Sequence, residues 1–135
     1  MKFSKLLEEL NALNLPKDQY AITSSGPLAV REIREAADLD LIITDDLMKK
    51  LARKYPITPG PPCDKIIIGN IEILGNFSLY NDSSLVSTQE QINTADIISG
   101  HPFVNLEIVK KFKEKSGREK DLKDIELIDQ YLAQH

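Results

Sequence analysis

The sequence predicts an α/β fold of the α+β type, in which a mixed sheet of about four strands packs against helices and the chain ends in a helical pair. Two observations indicate this class. Amphipathic segments with apolar residues at helical spacing alternate with short apolar runs of strand length. Clusters of Pro, Gly and Ser separate these segments. The length of 135 residues is that of one domain, so we expect a single domain over residues 1–135.

In the first half of the chain, helices and strands alternate. Ser4 is the expected N-cap of the first helix, and Pro16 marks its end. Pro27 suits the first position of the second helix, because that position needs no backbone N–H. Thr44 is the expected N-cap of the third helix. The predicted elements are a helix with apolar residues at helical spacing from 3 to 13, a strand over 20–23, a helix over 27–36, a strand over 38–43 and a helix carrying apolar residues from 47 to 55.

The second half of the chain predicts a hairpin and two closing helices. Gly69 and Asn70 form a turn between two apolar runs, and Gly117 ends a helix. Most of the polar stretch from Phe77 to Ser99 is expected to be loop, and His101 is expected in a surface loop. The predicted elements are strands over 65–68, 71–74 and 96–98, a helix over 104–115 and a helix carrying the apolar residues from 122 to 132.

Composition argues against several classes of protein. The net charge of −4 disfavours a broadly basic surface for nucleic acid. Cys63 is the one cysteine, which excludes an intrachain disulfide framework and a zinc site built from cysteines, and we expect it to be a small packed residue. No apolar run approaches the length of a membrane span, and the N-terminal segment lacks a signal-peptide core. A cytoplasmic protein with no membrane partner is therefore expected.

Asp38 and Asp40 lie two residues apart in an otherwise apolar, strand-like run. Such residues share one face of a strand, so the two carboxylates lie side by side and repel each other. A bound cation such as Mg²⁺ would relieve this repulsion, whereas a solvated polar face on an edge strand is the alternative. A calcium loop is disfavoured because Ile42 stands where an oxygen ligand is needed. A dehalogenase-type site is disfavoured because the apolar run 41–43 follows the acids.

Three parts of the chain form an ordered pattern. A turn at 24–26, Ser-Ser-Gly, connects a predicted strand to a predicted helix, and Asp38 and Asp40 follow on the next strand. Glu72 lies between two isoleucines on a later predicted strand. This order resembles the DNA polymerase β-like nucleotidyltransferase superfamily, whose pattern has a third carboxylate on a later strand, and Glu72 is the best candidate for it. The pattern of that family has Gly where this chain has Ser24, and more often Asp where it has Glu72.

Two further segments narrow the resemblance. The segment from Arg34 to Asp40 is similar to an Arg-x-Ser/Thr-x-Asp-Ile-Asp block of small bacterial nucleotidyltransferases of the AbiEii-like kind. Lys113, followed by the run Arg-Glu-Lys-Asp-Leu-Lys-Asp-Ile over residues 118–125, is similar to the C-terminal signature of the same proteins. The resemblance covers residues 20 to 132.

The resemblance implies a minimal nucleotidyltransferase fold. It also implies an enzyme that moves a nucleoside monophosphate from a nucleoside triphosphate to an acceptor hydroxyl. Asp38, Asp40 and Glu72 would be its catalytic residues and the ligands of Mg²⁺ or Mn²⁺, with Glu72 also a candidate general base. The residues implied in nucleotide binding are Ser24, Ser25, Gly26, Arg34, Lys113, Arg118 and Lys120. The acceptor stays open between a protein hydroxyl, an RNA end and a small molecule.

Other interpretations of the same residues stay open. Lys113 is also consistent with a solvated helix face, and Arg118 with an i,i+3 pair to Asp121. Asp121 and Asp124 would then anchor the last helix to the core. At the level of function, the alternative is a catalytically inactive binding module of the same fold. Such a module would act in a toxin–antitoxin system with a cognate partner protein, and the altered turn favours it.

Overall fold

The computed structural model describes residues 2–59, 64–75 and 86–135. These residues form helices and strands that alternate along the chain as α1(Phe3–Leu13), β1(Tyr20–Thr23), α2(Gly26–Ala29), β2(Leu39–Ile43), α3(Asp45–Ala52), β3(Asp64–Ile68), β4(Ile71–Gly75), α4(Thr88–Asn93), β5(Asp96–Ile98), β6(His101–Phe103), α5(Leu106–Ser116) and α6(Glu119–Gln134). The prediction for Cys63 and the part of the predicted loop over 77–85 lie outside the described residues. Within the described residues, the loop prediction is wrong for Thr88–Asn93, which form α4 with Ser87 as its N-cap.

The strands form one mixed sheet in the order β3-β4-β2-β1-β6-β5. The pairs β1–β2, β3–β4 and β5–β6 are antiparallel, whereas β2–β4 and β1–β6 are parallel. The predicted α/β class, the hairpin of β3 and β4 and the C-terminal pair of helices are confirmed. The sheet has six strands in the described residues, which is more than the predicted number.

One of the additional strands is β6, which corrects the prediction for His101. His101 is buried, with 3% of its surface exposed, and a hydrogen bond of 2.8 Å joins its Nδ1 to the hydroxyl of Tyr20. Burial raises the pKa of Tyr20 to about 12, and burial together with the charge of Lys17 lowers the pKa of His101. The strand was missed because it is three residues long and contains Pro102, which strands disfavour.

The helix α2 is much shorter than the predicted helix over 27–36. It ends at Ala29, and the chain then turns through Glu32, which has a left-handed backbone with φ of 60°. A left-handed residue cannot continue a right-handed helix, so the prediction beyond Ala29 is wrong. As a result, Arg34 lies in the loop between α2 and β2 and not on a helix.

The predicted ends of some helices are confirmed by the structure, whereas others are wrong. The side chain of Thr44 accepts a hydrogen bond of 3.2 Å from the N–H of Leu47, and Gly117 ends α5 with φ of 65°, as predicted. The predicted cap at Ser4 is wrong, because Lys2 is the N-cap and α1 begins at Phe3. That helix ends at a left-handed Asn14, before the proline that was expected to stop it.

The two faces of the sheet bury different helices. Leu39, Leu41 and Ile43 point to the face covered by α1 and α3. Because strand residues alternate, Asp40 and Ile42 point to the other face, where Ile42 packs in a cluster with residues of α2, α4, α5 and α6. Asp40, near the start of β2, therefore lies at the edge of the hydrophobic cluster that contains Ile42. In the part of the chain that the structure describes, none of the helices is both long enough and apolar enough to cross a bilayer.

Candidate functional site

Asp40 lies on β2, which is hydrogen-bonded to β1 on one side and to β4 on the other. In the antiparallel pair β1–β2, Asp40 lies opposite Thr23, and in the parallel pair β2–β4 it lies opposite Glu72. Asp38 immediately precedes β2. One carboxylate oxygen from each of Asp38, Asp40 and Glu72 lies within 4.8 Å of the other two. The structure therefore brings together the three acids that the sequence selected, which are called the triad below.

The electrostatics of Asp40 are unusual for a carboxylate. Burial is the main cause that raises its pKa to about 7, and the hydrogen bond with Glu72 and the charges of Asp38 and Glu72 raise it further. A hydrogen bond with Ser24 acts in the opposite direction. The Oδ1 atom of Asp40 is buried and has no hydrogen-bond partner within the described residues. A buried acceptor without a partner costs about 1–3 kcal/mol, so this oxygen is poised for a ligand.

The triad passes two chemical tests for a divalent-cation site. It offers only carboxylate oxygens, which are the donors that Mg²⁺ and Mn²⁺ prefer. A cation would also supply the missing partner of the buried Asp40 oxygen and separate three like charges. Asp38 is exposed while Asp40 and Glu72 are half-buried, so the site is reached from solvent on the Asp38 side.

The Ser-Ser-Gly turn lies next to the triad. Ser24 has a left-handed backbone with φ of 61°, a conformation that favours glycine, and it occupies the position where the family pattern has glycine. Its side chain is hydrogen-bonded to Asp40. Ser25 is the N-cap residue of α2, and the buried Gly26 is the first residue of that helix. A Cβ atom at Gly26 would lie 2.3 Å from Cγ2 of Ile22, so this glycine is required for packing.

Three of the four basic residues selected from the sequence lie in a charge cluster with two acids of α6. Arg34 donates two hydrogen bonds to the carboxylate of Asp124, at 2.9 and 3.0 Å, and Lys113 donates one of 2.9 Å to the same group. Arg118 donates to Asp121 at 2.7 Å, and Lys113 Nζ lies 3.7 Å from the Asp121 carboxylate. These five residues, the Asp124 cluster, connect α5 and α6 to the loop that carries Arg34.

The Asp124 cluster decides between two interpretations made from the sequence. Lys113 is only 8% exposed, so the expected solvated helix face is wrong for this residue. The i,i+3 pair between Arg118 and Asp121 is confirmed, as is the anchoring of α6 by buried acids. Burial pushes the pKa of Asp121 up, but hydrogen bonds from Arg118 and Ser116 and the charges of Arg118 and Lys113 outweigh it and lower that pKa. Lys120 is exposed on α6.

Lys65 is a neighbour of the triad that was not predicted from the sequence. Its Nζ atom lies 3.6 Å from Oε1 of Glu72. The signal was available, because the turn at 69–70 fixes the register of the hairpin. That register pairs Lys65 with Leu74, two residues from Glu72 and therefore on the same face of the sheet.

Comparison with known proteins adds evidence on the fold. No family model matches the sequence, and no curated protein matches it. Among solved structures, the chain is similar to the crystal structure of a "putative nucleotidyltransferase" from Thermotoga maritima, with a TM-score of 0.60 and 17% identity over 100% of this chain and 97% of that chain. The two proteins share a fold. At this identity the likeness is one of fold alone, and it agrees with the nucleotidyltransferase fold that the sequence resemblance implied.

The raised pKa of Asp40 predicts that the metal-free protein loses stability as the pH rises. Its carboxyl titrates near 7 in the folded chain and near 3.8 when unfolded, so the folded state holds the proton more tightly. The stabilisation is complete below pH 3.8 and is lost as the pH rises through about 7. Because a shift of one pKa unit corresponds to about 1.4 kcal/mol, the free energy of unfolding is expected to fall by about 4 kcal/mol over this range.

Urea unfolding in EDTA at pH 4.5, 6 and 8 would measure this loss as a difference between the wild type and Asp40→Asn. Taking the difference cancels the titration of the groups that do not interact with Asp40. The wild type is expected to be destabilised relative to the variant progressively from pH 4.5 to 8. A difference that does not change with pH would contradict the assignment of this titration to Asp40.

Proposed function

We propose that the protein is a metal-dependent nucleotidyltransferase, which moves a nucleoside monophosphate from a nucleoside triphosphate to an acceptor hydroxyl. The observation that carries the proposal is the triad, in which one carboxylate oxygen from each acid lies within 4.8 Å of the other two. In addition, Oδ1 of Asp40 is buried and has no hydrogen-bond partner among the described residues. The shared fold with the Thermotoga maritima protein supports it. Membership of the small AbiEii-like bacterial group is part of the same proposal.

Asp38, Asp40 and Glu72 would hold Mg²⁺ or Mn²⁺. Bound there, divalent ions would supply positive charge to the phosphate oxygens of the substrate during transfer. Burial and the neighbouring acids Glu72 and Asp38 raise the pKa of Asp40 to about 7, which favours its protonated form in the absence of a cation. Metal ligands must be deprotonated, so loading of the site is expected to release that proton.

The remaining chemistry would be carried out by the chain itself. In the transfer, an acceptor oxygen forms a bond to the α-phosphorus as the bond to pyrophosphate breaks, and the acceptor proton passes to a base. Glu72 is the proposed base, since its strand places it beside the two aspartates. The pyrophosphate leaves with the electron pair of the broken bond.

The Ser-Ser-Gly turn is the proposed contact for the triphosphate. Ser24 lies against Asp40, so a ligand that reaches the triad also reaches this turn. Arg34, Lys113 and Arg118 are engaged with buried acids, which favours a structural role for them over phosphate binding. Lys120 stays a prediction as a phosphate contact.

The proposed function is tested by incubating the protein with each of the four ribonucleoside triphosphates and Mn²⁺ or Mg²⁺. Release of pyrophosphate is measured together with the mass of added acceptors, namely the protein itself, an RNA and an aminoglycoside. We expect metal-dependent pyrophosphate release and a mass gain of one nucleoside monophosphate on one acceptor. The absence of both, together with no rise in melting temperature at millimolar triphosphate, would rule out the proposal.

The altered turn favours a second candidate function, a nucleotide-binding module without catalysis. A serine in a left-handed position next to the triad departs from the glycine of the family pattern. This candidate predicts a rise in melting temperature with triphosphate and metal but no pyrophosphate release with any acceptor. The same experiment therefore separates the two functions.

A further inference from the structure

We propose that Lys65 is a further binding residue of the triad site, where its ammonium group contacts the phosphate chain of the ligand. The inference rests on the proposed function and adds a residue to it. It assigns to Lys65 two partners: Glu72, as in this structure, and phosphate oxygens when the ligand is bound.

The geometry of the hairpin places Lys65 on the face of the triad. In the antiparallel pair β3–β4, Ile67 lies opposite Glu72 and Lys65 lies opposite Leu74. Directly paired residues point to one face, and so do residues two apart along a strand. Lys65 therefore shares the face of Glu72 and Asp40, and its Nζ atom lies 3.6 Å from Oε1 of Glu72.

The backbone of Lys65 is held on both sides while its side chain stays accessible. On one side β3 pairs with β4, and on the other the N–H of Lys65 donates to the carbonyl of Thr58 at 2.9 Å and its own carbonyl accepts from Thr58 at 2.8 Å. The side chain is 40% exposed. A fixed base with an accessible charged tip suits a group that changes its partner on ligand binding.

Charge explains why the partner of Lys65 would change. When neither a cation nor a phosphate is bound, the ammonium group of Lys65 offsets part of the repulsion among the three carboxylates of the triad. A divalent cation on the same carboxylates repels the ammonium, because both are positive and compete for Glu72. A phosphate chain then brings new anionic oxygens within reach, and lysine binds phosphate well as a point charge.

Lys65 can provide a cationic contact at the triad, whereas three of the other basic residues selected from the sequence are bound to acids elsewhere. Arg34, Lys113 and Arg118 bind Asp121 and Asp124. A polyphosphate at the triad needs a cationic contact besides the metal, and Lys65 is a basic side chain that the structure places in contact with a triad acid. The role of Lys65 would be in ligand binding, and its removal would lower the affinity for polyphosphate more than the affinity for the metal ion.

The test measures two affinities in the intact chain, with Lys65→Met as the variant. The first is for Mn²⁺ alone, and the second is for inorganic tripolyphosphate at saturating Mn²⁺, both by calorimetry. Removing the ammonium is expected to leave Mn²⁺ binding unchanged or to tighten it by about two- to fivefold. The same variant is expected to bind tripolyphosphate about tenfold more weakly.

Two further variants make the test selective. Lys5→Met is the matched control, because Lys5 forms an exposed pair with Glu8 on α1, across the sheet from the triad, and it should change neither affinity. Lys65→Arg keeps the positive charge and should restore most of the tripolyphosphate affinity. Tripolyphosphate affinity in Lys65→Met equal to that of the wild type would overturn the inference and leave the proposed function intact.

Two other outcomes would also count against the inference. Equal losses of both ligands in Lys65→Met and Lys65→Arg would mean that the residue acts through the local structure, not through its charge. No binding of Mn²⁺ or tripolyphosphate by the wild type would overturn the inference and the proposed function together.

Discussion

Replacing Asp40 with asparagine is expected to stabilise the metal-free protein at pH 8 while abolishing its response to divalent cations. An amide carries no charge, so the repulsion from Asp38 and Glu72 and the cost of burying an ionised carboxylate both disappear. The gain in the free energy of unfolding is expected to reach up to about 4 kcal/mol. The same change removes the ligand oxygen with the strongest need for a cation.

The effect of Asp40→Asn on turnover is expected to be large. If metal coordination supplies several kcal/mol of transition-state stabilisation, then its loss lowers the transfer rate by about a thousandfold or more. Pyrophosphate release at saturating triphosphate measures the rate, and urea unfolding in EDTA measures the stability. For an acid with a functional role, the substitution lowers the transfer rate and raises the stability. Removal of an acid with a structural role would lower both the rate and the stability.

Asp18→Asn is the matched control for this prediction. Asp18 is exposed in the turn between α1 and β1, so the same loss of charge occurs away from the triad. We expect it to change neither stability nor turnover. A wild-type level of metal-dependent activity in Asp40→Asn would contradict the assignment of Asp40 as a ligand.

Most of the determinants of the triad are local, so they could be predicted from the sequence. Alternation along a strand puts Asp38 and Asp40 on one face, and the turn at 69–70 fixes where Glu72 stands in the hairpin. The one long-range step, the pairing of β4 beside β2, came from the family resemblance and not from these patterns. Lys65 was missed although the same hairpin register places it on the triad face.

The role of Arg34 could not be predicted, because it depends on a contact between residues far apart in the chain. Arg34 and Asp124 are 90 positions apart, and only the tertiary packing of α6 brings them together. The strand β6 was invisible for a related reason. Its pairing with β1 through Phe103 outweighs the low strand preference of a three-residue segment that contains proline.

Removing the carboxylate of Asp124 is expected to be among the most destabilising changes in this chain. Asp124 accepts hydrogen bonds from Lys113 and Arg34, and Asp124→Leu would leave the buried Lys113 ammonium with only the more distant Asp121. Breaking a buried ion pair from one side costs about 3–5 kcal/mol, because the remaining charge stays desolvated. Urea unfolding at pH 7 measures the loss.

A double variant shows whether that loss comes from the orphaned charge or from lost packing. Lys113→Met combined with Asp124→Leu removes both buried charges, and Arg34, whose side chain is 37% exposed, can turn to water. We therefore expect the double variant to recover much of the stability that Asp124→Leu loses. Lys110→Met is the control, because Lys110 and Asp129 also connect α5 to α6 but lie at the surface, and its effect should be small. If instead the double variant were less stable than either single variant, the Asp124 cluster would stabilise the fold as a network, and the ion pairs themselves would hold α6 in place.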